Sequence, residues 1–160
     1  MLFRSHETGE PIPEELVRRL DAAESFGKGL SVRQQMFYAA LSLELHRRDP
    51  RGLDTTALSA ELMERYTPFR HVPGTFFQES FGHLDGYSAL YYTYMWSLVI
   101  AKDLFSAFQA AGLMDRETAL RYRRAILEPG GSRPARELVQ DFLGRESGFA
   151  PFEAWLSQEG

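Results

Sequence analysis

Apolar residues recur along most of the chain at the three- to four-residue spacing of amphipathic helices. No segment alternates with a period of two, and we find no internal repeat. This pattern predicts an all-α, multi-helical protein with six or seven helices, in which residues 1–160 form one unit. We expect helices over 14–24, 32–48, 55–66, 87–111, 116–128 and 133–144, and a short one around 151–158.

Polar residues at the starts of these segments suggest how the helices begin. Ser31, Asp54, Asp115 and Ser132 each precede a helical pattern, and serine and aspartate are favoured N-caps. Gly112 follows the long apolar segment at the position where a helix commonly ends. The sequence therefore predicts four capped helices and one glycine terminus.

Residues 67–86 form the only long stretch without helical periodicity, and they contain His71 and His83. A loop of this length in a compact domain is usually functional or mobile. The following segment, 87–111, is apolar nearly all round at first, so we expect the first half of its helix to be central to the fold.

Four of the seven tyrosines fall between positions 87 and 94. On a helix, Tyr87, Tyr91 and Tyr94 stand at i, i+4 and i+7 and share one face, whereas Tyr92 points elsewhere. Such a stripe can be a packed core. It can also present phenolic O–H donors to a cleft, where donors stabilise a developing oxyanion. Buried tyrosines need hydrogen-bond partners, and His83 adds a polar group nearby, so both interpretations stay open.

Composition narrows the classes of function. The chain has no cysteine, which excludes disulfides and thiolate catalysis. The net charge of −4 provides no basic field for nucleic acid. Apolar runs such as 98–101 are far shorter than the roughly 20 residues of a membrane-spanning helix. We therefore expect no nucleic-acid partner, no membrane association and a cytoplasmic location.

Motifs for metal binding and nucleophilic catalysis are missing. The segment HETGE at 6–10 begins like the zinc motif H-E-x-x-H, but Glu10 stands in place of the second histidine and Pro11 follows. His46 lies at the polar end of its predicted helix. His71 and His83 have no carboxylates at ligand spacing. We expect no metal site and no bound cofactor in this chain.

Four motifs occur in a specific order along the second half of the chain, namely FGHLDGYSALYYTYMWS, DLFSAFQAAGLMD, YRRAILEPGGS and FLGRES. Together they resemble the C-terminal part of the catalytic domain in zinc metallopeptidases of the thimet oligopeptidase family, which includes neurolysin and oligopeptidase A. The upstream segments HETGEPIPEELVRRL and RQQMFYAALSLELH resemble the region that follows the metal site in that family. The resemblance covers nearly the whole chain.

The resemblance implies a helical, zincin-type oligopeptidase domain that acts on short peptides. By this match Tyr94 and Tyr87 are the catalytic tyrosines, with Tyr94 the first choice as oxyanion donor, and His83 and Tyr91 bind substrate. The family often has H-L-x-G-G-Y where this chain has HLDGY, one residue shorter, and this bears on the place of His83.

The zinc-binding H-E-x-x-H motif and its partner glutamate are absent from the sequence. Zinc is therefore expected only in the complete family enzyme, and this chain alone is expected to lack peptidase activity. A zinc-bearing N-terminal chain or segment, or a second copy of this chain, is the expected protein partner. The alternatives are a non-catalytic helical module that binds peptides or proteins, and a helical domain whose tyrosines are only core.

Overall fold

The computed structural model describes residues 3–158. That part of the chain contains nine α-helices and no β-strand, which confirms the all-α prediction. The helices are α1 (Glu14–Ser25), α2 (Lys28–Arg47), α3 (Thr55–Tyr66), α4 (Phe77–Ser80), α5 (His83–Gly86), α6 (Thr93–Ala111), α7 (Arg116–Tyr122), α8 (Ala135–Leu143) and α9 (Ala150–Leu156). Short 3₁₀ turns at Leu90–Tyr92 and Gly130–Ser132 and a π turn at Arg123–Leu127 lie between them.

The main core forms where α2 packs against α3 and the segment that leads into α6. Phe37 and Leu41 of α2 are completely buried, because this face of the helix is covered by α3 and by the 3₁₀ turn at Leu90–Tyr92. Leu58 and Leu62 of α3 complete one side of the core, and Phe81 and Tyr91 with their neighbours complete the other. The side of α2 that carries Phe37 and Leu41 is thus buried between two elements, whereas Met36 and Leu43 are exposed.

A second cluster joins α6, α7 and α8. The rings of Phe108, Tyr122 and Phe142 lie 5.4–6.0 Å apart between their centroids, within the range of favourable aromatic packing. Helix α9 packs along α6 on another side.

Helix α1 has no buried residue, and its apolar side chains Leu16, Val17 and Leu20 are exposed. No helix within residues 3–158 combines the length and the apolar character that a bilayer crossing requires.

Two of the four predicted N-caps are confirmed. The Asp54 carboxylate accepts hydrogen bonds from the backbone N–H groups of Thr56 and Ala57, and Asp115 accepts one from Thr118. The Ser31 prediction is wrong, because α2 already begins at Lys28.

The earlier start of α2 depends on Gly27, which has a φ of 71° and so turns the chain directly from α1 into α2. The Ser132 prediction is also wrong, since α8 begins at Ala135 after Pro134 and has no side-chain cap.

The helix predicted over 87–111 begins instead at Thr93. Ser88 has a φ of 48° in the left-handed region, which breaks the helical path before the 3₁₀ turn. The predicted central place of the first half of α6 is also wrong. Of its first ten residues only Val99 is buried, and Tyr94 and Trp96 are exposed.

An ion pair between the buried Asp103 and the half-exposed Arg145 fixes the loop between α8 and α9 onto α6. Asp103 is fully buried, and its oxygens accept two hydrogen bonds from Arg145, at 2.5 and 3.0 Å, and one from the Gly148 N–H at 2.8 Å. The hydrogen bonds from Arg145 hold the pKa of Asp103 below its ordinary value, against the opposing effect of burial. Because the folded pKa is lowered, this stabilisation is present above the ordinary aspartate pKa. It is lost as the pH falls through the folded value.

We predict that Arg145→Ala lowers the free energy of unfolding by about 3 kcal/mol, because it leaves the buried Asp103 carboxylate without its cation. Denaturant unfolding followed by circular dichroism measures the change. The matched control is Arg136→Ala, which breaks the exposed Arg136–Glu146 pair and should cost less than about 1 kcal/mol. Equal costs for the two variants would contradict the assignment.

Candidate functional site

His83 is the first residue of the one-turn helix α5, which lies within residues 67–86, where the sequence shows no helical periodicity. The backbone N–H of Tyr87 donates to the His83 carbonyl oxygen at 3.0 Å and closes this turn. The preceding Phe81 is buried and packs with its ring 5.4 Å from the His83 ring. The compact turn fits the shorter HLDGY segment and places the imidazole beside the tyrosines.

The four residues predicted from the sequence lie together. The centroid of the His83 ring is 5.7 Å from that of Tyr87, 4.9 Å from that of Tyr91 and 5.8 Å from that of Tyr94. The His83 Nε2 atom and the Tyr94 hydroxyl form a hydrogen bond of 3.2 Å. We call this group the His–Tyr cluster.

The cluster does not arise from the helical face that the sequence predicted. Only Tyr94 lies on α6, while Tyr91 belongs to the 3₁₀ turn and Tyr87 follows α5. The tyrosines therefore converge through a folded turn, so the spacing of i, i+4 and i+7 is not the reason for their proximity. Tyr92 stays outside the cluster, as predicted, and is exposed.

Burial divides the cluster into a support and an exposed edge. Tyr91 is only 9% exposed, and its hydroxyl donates to Gln35 Oε1 at 2.9 Å. Burial is the main cause that raises the pKa of Tyr91, so its phenol keeps its proton. Tyr87 and Tyr94 are 60% and 54% exposed.

This division bears on the two interpretations left open by the sequence. Tyr91 has the burial and the internal partner of a core residue, whereas Tyr87 and Tyr94 are more than half exposed. The assignment of Tyr91 to substrate binding stays a prediction, and its ring stands edge-on to the His83 ring.

The described residues do not fit a zinc site. Within residues 3–158 no group of three or more histidine, cysteine, aspartate or glutamate side chains is placed to hold a metal ion. His83 has phenols around it in place of carboxylates, and His46 Nδ1 is 2.7 Å from the Ser42 carbonyl oxygen. We therefore assign no chemistry in this chain to a bound metal.

An apolar cleft of about 370 Å³ lies between α6, α8 and the loop before α9. Trp96, Val139 and Phe149 are among its lining residues, and none of the four cluster residues lines it. Its two charged residues, Arg136 and Glu146, pair with each other, and no histidine within residues 3–158 lines it. We therefore place the candidate site at the His–Tyr cluster.

Two residues that contact this site were missed in the sequence. Gln35 contacts Tyr91, and the Ser42 hydroxyl donates to the Ser88 carbonyl oxygen at 2.6 Å. Both are polar positions, seven residues apart, in the otherwise apolar face of α2. These two polar positions in an apolar face were the available signal for buried hydrogen bonds. The neighbouring sequence did not indicate that their partners would be Tyr91 and Ser88.

Comparison with known proteins agrees with the resemblance seen in the motifs. The family model described as Peptidase family M3 matches residues 1–157. The chain belongs to Peptidase family M3. This match confirms the relationship predicted from the motifs. The protein, referred to below as the M3 chain, is a domain of the metallo-oligopeptidase type.

Individual relatives support the same assignment. The M3 chain is 35% identical, over 91% of its length, to the organellar oligopeptidase A of Arabidopsis thaliana, a chloroplastic/mitochondrial protein. It is 33% identical over 88% of its length to oligopeptidase A of Escherichia coli and 32% identical over 88% to human mitochondrial intermediate peptidase. These matches cover 19%, 21% and 20% of the relatives, so the M3 chain spans about a fifth of their length.

Proposed function

We propose that this chain is the substrate-binding and oxyanion-stabilising portion of the catalytic domain of a zinc oligopeptidase. The hydrogen bond between His83 Nε2 and the exposed Tyr94 hydroxyl is the observation that carries the proposal. A short peptide bound at this edge presents backbone carbonyl oxygens, and both side chains have donors suited to them. The membership in Peptidase family M3 supports peptide-bond hydrolysis as the reaction.

The direction of the hydrogen bond determines what Tyr94 can do. If Nε2 carries the proton, it donates to the phenol oxygen and leaves the Tyr94 O–H free to donate to substrate. That arrangement also polarises the phenol and makes it a stronger donor. If Nε2 accepts instead, the phenol proton is already used. We therefore assign the Nε2–H form of His83 to the active arrangement.

Tyr94 is the proposed oxyanion donor, and Tyr87 is the proposed second catalytic tyrosine. Tyr87 is also exposed, and its ring centroid lies 5.7 Å from that of His83, against 5.8 Å for Tyr94, so both phenols are neighbours of the imidazole. We assign substrate binding to His83 and to Tyr91, whose role is to support the imidazole. Preorganised donors of this kind stabilise charge as it develops in the transition state.

These donors do not generate a nucleophile. Hydrolysis of an amide needs an activated water, which a metal supplies in metallopeptidases. The part of the chain that the structure describes does not fit that metal, and we assign zinc binding to a different chain or segment of the proposed enzyme. Exposed apolar residues such as Leu20, Trp96 and Phe149 are suited to contacts with that partner or with a second copy of the chain.

The second candidate is a non-catalytic helical module that binds peptides or a protein partner through the same exposed donors. The exposure of Tyr87 and Tyr94 supports both candidates over tyrosines that serve only as core. We propose a cytoplasmic location and no nucleic-acid or membrane partner. One relative is named as a probable cytosolic oligopeptidase, while others are named as organellar or mitochondrial.

We predict that the isolated chain does not hydrolyse short peptides, with or without added zinc, because its donors stabilise charge that nothing in the chain creates. A fluorogenic peptide assay at high protein concentration measures the turnover. Activity that a chelator abolishes, and that follows the chain through purification, would overturn the proposal.

In the enzyme reconstituted with a zinc-bearing partner, we predict that Tyr94→Phe lowers kcat about 100-fold and changes KM little, because the hydroxyl acts mainly in the transition state. Steady-state kinetics on a short peptide separates the two constants. Tyr92→Phe is the matched control, since that phenol is exposed but lies outside the cluster. A raised KM with unchanged kcat would support the binding module instead.

A further inference from the structure

The turn between Tyr87 and Tyr91 contains an unfavourable backbone conformation. Ser88 is the only residue other than glycine with a positive φ, 48°, within residues 3–158. A residue with a side chain is held there only when the surrounding structure fixes it. The turn immediately precedes the 3₁₀ segment Leu90–Tyr92, which places the Tyr91 ring beside the His83 ring.

Ser42 supplies the contact that fixes this turn. Its side chain is completely buried in α2, and its hydroxyl donates to the Ser88 carbonyl oxygen at 2.6 Å, across 46 positions of sequence. A serine within a helix often bonds to the carbonyl one turn earlier in its own helix. Here the hydroxyl reaches the strained turn.

Gln35 makes a second contact from the same helix. It lies seven residues before Ser42, which places both side chains on one face of α2. Its Oε1 accepts the Tyr91 hydroxyl at 2.9 Å, and the Tyr91 ring stands edge-on to the His83 ring, with centroids 4.9 Å apart. The two polar residues thus hold both ends of the turn.

We propose that Ser42 and Gln35 are positioning residues, which set the geometry of the His83–Tyr94 hydrogen bond through Ser88 and Tyr91. This inference rests on the proposed function for its catalytic meaning, but the geometry is measurable without substrate or metal. Neither residue touches the exposed edge of the cluster. Their effect on the chemistry is therefore indirect, through the position and orientation of the His83 ring relative to the Tyr94 hydroxyl.

A purely structural role predicts a different result. If Ser42 only fills space in the core, its removal lowers stability and affects all amides in the same way. A positioning role predicts a local change at the turn. The reporters are the Leu90 amide, which donates to the Tyr87 carbonyl oxygen at 2.9 Å, and the Tyr87 amide, which donates to His83 at 3.0 Å.

The first experiment is hydrogen exchange of the whole chain, measured by NMR, for Ser42→Ala. We expect exchange at the Leu90 and Tyr87 amides to accelerate about five-fold or more relative to the Thr67 amide, which is bonded to Met63 of α3. Ser59→Ala is the matched control. Ser59 is also buried, but its hydroxyl has no partner within the described residues, so the ratio should not change.

The second experiment records the ring nitrogen chemical shifts of His83. Tyr94→Phe provides the reference for a lost hydrogen bond. We expect Ser42→Ala and Gln35→Met to move the Nε2 shift toward that reference. Gln34→Met is the control for Gln35, because the Gln34 side chain makes no hydrogen bond within residues 3–158. Unchanged shifts with intact folding would overturn the proposal.

A double-mutant cycle tests the link to Ser88, and the Gln35→Met shifts keep the proposal testable if Ser42→Ala folds poorly. Glycine adopts a positive φ without strain, so Ser88→Gly should reduce the effect of Ser42→Ala on the Leu90 amide. Additive effects would overturn the proposed link to Ser88. These outcomes are independent of peptide turnover, so a failure of the proposed function would appear in the peptidase assays and not in these spectra.

Discussion

The candidate site depends on the packing of the segment that contains Phe81 and Tyr91 against α2. The Tyr38 ring of α2 lies 5.5 Å from both of these rings, and the Phe37 side chain closes the core behind them. This contact is aromatic and largely non-directional, so it brings the segment to the helix without fixing its register. The hydrogen bonds of Gln35 with Tyr91 and of Ser42 with Ser88 fix the position of the segment along the helix. A buried hydroxyl or amide that loses its hydrogen-bond partner lowers the stability of the fold.

This arrangement separates rigidity from exposure. Tyr91 and Phe81 are buried and pack against the imidazole, whereas Tyr87 and Tyr94 are more than half exposed. Donors stabilise a transition state only if their positions are set before the substrate arrives. A buried support under an exposed edge meets that requirement within a short length of chain. The remote Asp103–Arg145 pair has a different part, since it fixes the α8–α9 loop and does not contact the cluster.

Much of the fold followed from local signals in the sequence. Asp54 and Asp115 cap their helices through bonds to residues two or three positions ahead, which sequence patterns capture well. Ser31 and Ser132 failed because Gly27 and Pro134 provided other ways to begin α2 and α8. The predicted start of α6 at residue 87 is wrong for a non-local reason. The Ser88 turn is stabilised by Ser42 from another helix, and no window around Ser88 contains that partner.

The site residues were selected through a helical register that the structure does not have, yet His83, Tyr87, Tyr91 and Tyr94 are neighbours. Their grouping in the family motif was the reliable signal. The most direct test is an NMR titration of the labelled chain with a short blocked alanine peptide. The account predicts chemical-shift changes at His83, Tyr87 and Tyr94. Changes confined to Trp96 and Phe149 of the apolar cleft, or none at all, would contradict it.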